Sequence, residues 1–324
     1  MSQLLVTTIN RTCPTTECSG YVYTVDATLR RVLARHPIPE AGMRELDPNP
    51  RGGMRGGRGI AVRDGEIFVA NFDTVYRYDR SGGFTPFVSH PSCSDIHEIA
   101  FKGDLLLVTS TRNDLLLAFD EDANLARHYN ARAWSGVRER LGWEEPNRFE
   151  VKSIYSGRID FRDPTSHDKA SCDTAHVNSV CVCPDGEALV TMGLVVTNPE
   201  ANEGKAAVVR LRDGASPEVI YVQKDTTVAI HNLLIQPDGT LLFLDTGGGA
   251  LVRLNRDTGA LLSRSPFPSR YLRGLHRFND GRLAIGDQNS ILLYDPAVPS
   301  PCSRILISAN PRESVHSIAT IKDT

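Results

Sequence analysis

No apolar run in this 324-residue sequence approaches the roughly 20 residues that a membrane-spanning helix needs. Nor is there a sustained block of one charge. The 36 Lys and Arg and 39 Asp and Glu are interspersed, and the net charge is −3. That balance argues against nucleic acid or an anionic membrane as the main partner. The first ten residues have no basic stretch followed by a long apolar one, so a secretory leader is not expected. Seven cysteines are present, but none forms a Cys-x-x-Cys pair, which leaves little basis for a thiolate metal site. Buried or loop thiols in a reducing cytoplasm are the expectation. Cys13 and Cys18 share a loop, and Cys181 and Cys183 alternate along a strand.

What the chain does have is one phrase, repeated. A polar residue opens an apolar strand, a Gly or Asp-Gly turn follows, and a second apolar strand returns. Copies begin at Arg58, His97, Asn178, His231 and Arg273, and a sixth begins at His316 without its second strand. A spacing near 40 residues marks a repeat architecture. A second marker, an apolar strand ending in Asp or Asn, appears at Asp26, Asp79, Asp120, Asp213, Asn255 and Asp295. The strands missing after His316 are supplied at the start, by the runs from Leu4 and Gly20. The pattern predicts an all-β, six-bladed β-propeller closed by pairing of N- and C-terminal strands. It is read as a single domain over 1–324. A linear solenoid would need polar caps, and none is visible.

Surplus length is uneven. Residues 37–57 and 129–175 join an outer strand to the next inner one, with a short helix expected near Ala131–Leu141. Residues 10–19 and 193–205 join second to third strands. In a propeller both loop types emerge on one face, so the insertion at 129–175 is expected to form a lid over the channel mouth.

The leading residue of each inner strand falls at that mouth. In chain order these are Arg58, His97, Asn178, His231, Arg273 and His316. Histidines on alternate blades can converge, so His97, His231 and His316 are expected to bind a metal. His176, two residues before Asn178, is either a fourth ligand or a general base. Glu98 is an acid/base candidate, or holds a neighbouring ring in its ligating tautomer. Arg58 and Arg273, with Asn178, are expected to bind the carboxylate or phosphate of a small substrate. The second strands end in a further layer: Asn71, Asp73, Thr109, Arg112, Asp245, Asp287 and Asn289. The run from Asp245 through Gly249 reads as a hairpin turn, not a phosphate loop, because no helix follows it. His36, His90, His128, His167 and His276 are read as structural or exposed.

The stretch from His231 to Thr246 resembles an NHL-type repeat. The stretch from Asn178 to Gly186 is similar to the repeat carrying the asparagine metal ligand in the senescence marker protein/gluconolactonase family, whose fold is shared with strictosidine synthase-like proteins. The phrases at His97, His176, His231 and Arg273 also resemble an uncharacterised bacterial propeller family, which implies no activity. The gluconolactonase resemblance implies a hydrolase with a divalent ion, often calcium, on the axis. His231 stands where that family has an aspartate. Histidine disfavours calcium and favours iron or zinc. The reading is a cytoplasmic, metal-dependent hydrolase or lyase acting on a small anionic metabolite. The alternatives are a non-haem iron oxygenase with an all-histidine site and a non-catalytic ligand- or protein-binding propeller. Oligomeric state is not legible.

Overall fold

The computed structural model describes residues 3–47, 53–143, 159–165, 173–198, 203–269, 271–298 and 303–321. Among these residues the strands form six four-stranded antiparallel sheets. They are the six blades of a β-propeller, closed as the sequence predicts by a C-terminal strand that pairs with the N-terminal one. The chain divides into two compact units, Met1–Ser89 with Tyr271–Thr324, and His90–Arg270.

The first unit holds three sheets. One is ordered β24-β1-β2-β3, from β1 (Gln3–Asn10), β2 (Tyr21–Asp26), β3 (Arg31–Pro37) and β24 (Glu313–Ile321). The next runs from β4 (Ile60–Arg63) through β5 (Glu66–Ala70) and β6 (Thr74–Tyr78) to β7 (Phe84–Ser89). The third is β20 (Leu272–Arg277), β21 (Leu283–Asp287), β22 (Ser290–Tyr294) and β23 (Ser303–Leu306). β24 pairs with β1 from Gln3↔Ile321 to Asn10↔Glu313. Buried Glu313 locks this pairing, its Oε1 accepting from the Thr8 hydroxyl at 2.6 Å and the Tyr23 hydroxyl at 2.7 Å. Leu4, Val6, Tyr23, Phe278, Ala284, Val315 and Ile318 share one apolar cluster beneath it.

The second unit holds the other three sheets. They are β8 (Ile96–Lys102) to β11 (Leu125–Asn130) by way of β9 (Leu105–Ser110) and β10 (Leu115–Phe119); β12 (Val177–Val182), β13 (Ala188–Asn198), β14 (Glu203–Leu211) and β15 (Glu218–Gln223); and β16 (Ile230–Ile235), β17 (Thr240–Asp245), β18 (Ala250–Asn255) and β19 (Leu261–Pro266). The expected helix is present as a 3-10 turn, Ala131–Ala133, followed by α1 (Ser135–Leu141). It buries Val137 and Leu141 in a cluster with Trp134, Val177 and Val195. Gly142 ends it with a φ of +64°, and the Lys205 Nζ donates to the Leu141 carbonyl at 2.6 Å. A cation there suits the negative end of the helix.

Both sequence markers have local causes. Asp64 and Gly65 each adopt positive φ, 51° and 82°, between β4 and β5. That is the two-residue turn whose twist matches the flanking strands. The Asp or Asn ending a third strand turns the chain toward the outer strand by accepting amides two to four residues on. Asp26 binds the amides of Thr28 and Leu29, Asp79 that of Ser81, and Asn255 those of Asp257 and Thr258. Asp213 differs, pairing instead with Lys102 and Arg127.

One expected loop is not a loop. Residues 193–205 were to join second to third strands, but β13 runs on to Asn198 and β14 begins at Glu203. Their pairing continues through Val195↔Lys205 and Val196↔Gly204. The β-branched residues Val195 and Val196 favour that extension. Much of the 129–175 insertion, including residues 144–158, 166–172 and His167, lies outside the described residues. The lid expected of it falls largely on those residues.

Two predictions follow from packing. A Cβ on Gly286 would overlap the Arg273 carbonyl oxygen and the Val315 side chain. Gly286→Ala should cost about 2–4 kcal/mol of stability by chemical denaturation, as overpacking against backbone does. His276 is half-buried, and desolvation pushes its pKa from 6.5 down to about 4. The unfolded chain therefore takes up a proton the fold refuses. The stability this neutral ring allows is whole above pH 6.5 and is lost as pH falls toward 4. His276→Gln should flatten the fall in urea midpoint as pH drops from 6.5 to about 4.

Candidate metal centre

Inner strands in this chain do not start smoothly. Register breaks fall between Ile96 and Ile99, Val177 and Ser179, His231 and Leu234, Leu272 and Leu275, and opposite His316 where Thr7 gives way to Thr8. A bulge re-aims the side chain it carries. Asn232 confirms the distortion, with a φ of 55°. The Thr109 hydroxyl fills the gap at β8, accepting from the amides of His97 at 3.2 Å and Glu98 at 2.9 Å.

Within the second unit these bulges aim His97 and His231 toward each other, and His176 joins them. Each offers one ring nitrogen, and the three nitrogens lie within 4.8 Å of one another. Ring centroids are 5.1 Å apart for His97–His176, 6.1 Å for His97–His231 and 6.2 Å for His176–His231. His97 and His231 are buried, while His176 is the most open of the three.

Each ring is held from behind at Nδ1. His97 Nδ1 lies 2.6 Å from the Thr111 hydroxyl oxygen, and that hydroxyl donates to the Val177 carbonyl at 2.8 Å. With its proton committed, the Thr111 oxygen accepts from His97 Nδ1–H. His176 Nδ1 lies 2.7 Å from the Asp173 carboxylate, an acceptor only. His231 Nδ1 lies 2.8 Å from the Thr246 hydroxyl. Protonation at Nδ1 places the lone pair on Nε2, which is the tautomer a metal ligand needs.

The loop carrying His176 is built by one carboxylate. Asp114 is fully buried and itself left-handed, at φ 56°. Its two oxygens accept from the amides of Thr174, Ala175 and His176, at 3.1, 2.8 and 3.0 Å, and from the Thr174 hydroxyl at 2.7 Å. Arg132 pairs with the same carboxylate at 2.8 Å. Asp173 and His176 both have positive φ, 58° and 51°. Non-glycine residues pay for that conformation only where surroundings enforce it, and Asp114 does so here.

The donor set fits a divalent transition metal. Three neutral imidazoles presented by fixed Nε2 atoms match the coordination of zinc or iron, with bond lengths of about 2.0–2.1 Å to nitrogen. They do not match calcium, which takes oxygen ligands.

The other expected site residues lie as follows. His316, expected beside His97 and His231, is not a member of the gathered trio. It belongs to the first unit, where it is buried and burial first, then Arg273, Arg58 and Arg11, hold its pKa well below the usual histidine range. Arg58 is buried, its Nε donating to the Arg55 carbonyl at 3.0 Å. The amide of Asn178 is engaged by the framework: Nδ2 donates to the Ile230 carbonyl at 2.8 Å, and Oδ1 accepts from the Thr191 hydroxyl. Gly193 leaves room for it, since a Cβ there would lie 2.6 Å from Asn178 Nδ2. Glu98 accepts from Asn232 Nδ2 at 3.1 Å, and burial raises its pKa to about 7. The second-strand termini mostly shape turns. Asn71 accepts from the amides of Asp73 and Thr74, Asp245 pairs with Arg264, Asp287 with Arg304, and Asn289 donates to the Ser308 carbonyl. Gly248 donates its amide to Asp245, closing the expected hairpin turn. Asp114, Asp173, Thr111 and Thr246 were not singled out from sequence. The two threonines stand 14 and 15 residues after their histidines, at the ends of the paired second strands. That recurrent offset is the signal that would have found them.

No family model and no curated protein matches the chain. Solved structures do. A gluconolactonase from Xanthomonas campestris aligns at 13% identity over 78% of this chain and 76% of its own, with a TM-score of 0.54. A streptogramin B lyase aligns at 13% identity over 85% and 72%, with a TM-score of 0.50. A chain of a nidogen/laminin complex aligns at 10% identity over 99% and 98%, with a TM-score of 0.60. At these identities the likeness is one of fold, and it agrees with the propeller resemblance drawn from the repeats. Among the described residues no helix is long and apolar enough to cross a membrane.

Replacing Asp114 should be severe. Asp114→Ala leaves the Arg132 guanidinium buried without its carboxylate and frees three amides, at a cost of about 3–5 kcal/mol. Urea denaturation measures it, and Arg132→Met beside Asp114→Asn should recover part of the loss.

Proposed function

We propose that the chain is a metal-dependent enzyme of hydrolase or lyase type, acting on a small anionic molecule. The observation that carries this reading is the trio of His97, His176 and His231, each hydrogen-bonded at Nδ1 and each offering a ring nitrogen within 4.8 Å of the others. Metal-ligating histidines almost always hydrogen-bond through their other ring nitrogen, and all three rings do so here. A zinc or iron ion held there would supply Lewis acidity and would activate water.

The residues divide the work. His97 and His231 are fixed by bulged strands and hold their rings rigidly. His176, on the loop built by Asp114, is the least buried residue of the three and would complete the ligand set. This assigns His176 as a ligand in preference to a free base. Glu98 bonds Asn232, and the Ser179 hydroxyl accepts from the Asn232 amide at 2.7 Å. These bonds hold the three inner strands at a fixed spacing, so Glu98 is a positioning residue. Arg58 and Arg273 are the proposed partners of a carboxylate or phosphate on the substrate. Propellers described as a gluconolactonase and a streptogramin B lyase share the fold, which supports a hydrolase or lyase at that level only. A cytoplasmic location remains part of the proposal.

A non-haem iron oxygenase is the second reading, favoured by the same observation, because the trio contains no carboxylate and suits iron as well as zinc. Elemental analysis of the whole chain, after incubation with Zn(II) or anaerobic Fe(II), tests both. About one ion per chain is expected in the parent and in His316→Ala, with at least tenfold weaker retention in His97→Ala and His231→Ala. Oxygen consumption by the iron form would select the oxygenase. A parent that retains neither metal would defeat the metal reading and leave a non-catalytic binding propeller.

A further inference from the structure

The first unit concentrates positive charge around one buried imidazole. Three segments deliver it, and each is pressed against the first sheet by a close backbone approach. Arg273 sits on the bulge at the start of β20. The next residue, Gly274, has a φ of +79°, and a Cβ there would lie 2.9 Å from Ile318 on β24. Gly286 on β21 allows the same approach from the neighbouring strand. Arg58 follows Gly56 and Gly57, which pack on Ile9 and Thr7 of β1. The Gly57 amide donates to the Thr8 carbonyl at 2.9 Å, and the Thr7 hydroxyl to the Arg58 carbonyl at 2.5 Å. Arg11 leaves the end of β1, its amide donating to the Arg312 carbonyl at 2.7 Å.

Aromatic rings hold the guanidiniums. Arg11 stacks on Tyr271 with 3.9 Å from guanidinium carbon to ring centroid, and Arg273 lies 5.6 Å from the same ring. Arg58 lies 5.9 Å from Phe72. Arg11 is exposed, Arg273 is half-buried and Arg58 is buried, so the group runs from solvent inward. Arg273, Arg58 and Arg11, in decreasing order, act on His316. A neutral imidazole at the inner end still offers one donor and one acceptor.

We propose that Arg11, Arg58, Arg273 and His316 form an oxyanion-binding site in the first unit, taking a carboxylate or phosphate monoester, with His316 as a neutral hydrogen-bonding partner and not a metal ligand. The inference rests on the reading of Arg58 and Arg273 as anion-binding residues and adds Arg11 and His316 to them. It does not depend on the histidine trio. Guanidiniums favour oxyanions through paired N–H donors.

Calorimetry on the full chain at constant ionic strength tests it, with inorganic phosphate and malonate as probes, in metal-loaded and chelator-treated protein. At least one probe should bind in both forms, and Arg11→Gln and Arg273→Gln should each weaken it roughly tenfold or more. Arg11 is exposed, so Arg11→Gln gives a folded variant even if Arg273→Gln is unstable. Binding by His97→Ala equal to that of the parent is expected. Absence of binding by both probes to the parent overturns the proposal, as does unchanged affinity in Arg11→Gln. Binding only in the metal-loaded protein also overturns it, because the anion would then be held by the metal.

Discussion

The pairing of β24 with β1 is the constraint on which the propeller depends. It joins residues about three hundred positions apart, Gln3 to Ile321 and Asn10 to Glu313, and so carries the largest loop-closure cost in the chain. Its compensation is concentrated at one end. Glu313 collects two hydroxyls in a buried setting, while Val315 and Ile318 enter an apolar cluster with Leu4, Val6 and Tyr23. The same strand carries the bulge that presents His316, so the element that closes the fold also sets one of its polar centres.

Repetition made the fold legible. Each blade must reverse direction three times with the handedness that twisted strands allow, and only a few residue types do that. Asp64-Gly65 and the Asx turns at Asp26, Asp79 and Asn255 are therefore visible without any tertiary knowledge. The leading polar residues were legible for the same reason, since register places them at equivalent points. Register alone does not say where a side chain aims. His97, His231 and His316 occupy matching positions, yet His97 and His231 gather with His176, while His316 feels the charges of Arg273, Arg58 and Arg11. The deciding features are bulges and turns. Thr111, Asp114 and Thr246 lie in the turns that follow second strands and show no pattern within their own segments. The extension of β13 and β14 past residue 193 was hidden for a related reason: polar Thr197 and Asn198 read as loop until Val195 and Val196 find partners.

The trio is held by two different kinds of backbone. Two of its rings sit on strands whose amides are satisfied by the Thr109 hydroxyl and by Ser179. The third sits on a loop whose left-handed residues are sustained by one carboxylate. Rigid strands keep two of the rings in place, and the loop holds the third beside them.

The two units differ in how their chain is laid out. The second is one uninterrupted stretch, His90–Arg270, whereas the first is split, Met1–Ser89 with Tyr271–Thr324. Chains are made from the N-terminus, and compact regions fold as they emerge. The histidine trio is therefore complete in sequence before Tyr271 is added. The arginine group around His316 cannot assemble until β24 has been synthesised. β1 must wait for its partner through most of translation, with one edge unpaired. The order of synthesis thus separates the two polar centres in time, and makes the nascent first sheet the part of this protein most in need of protection from aggregation.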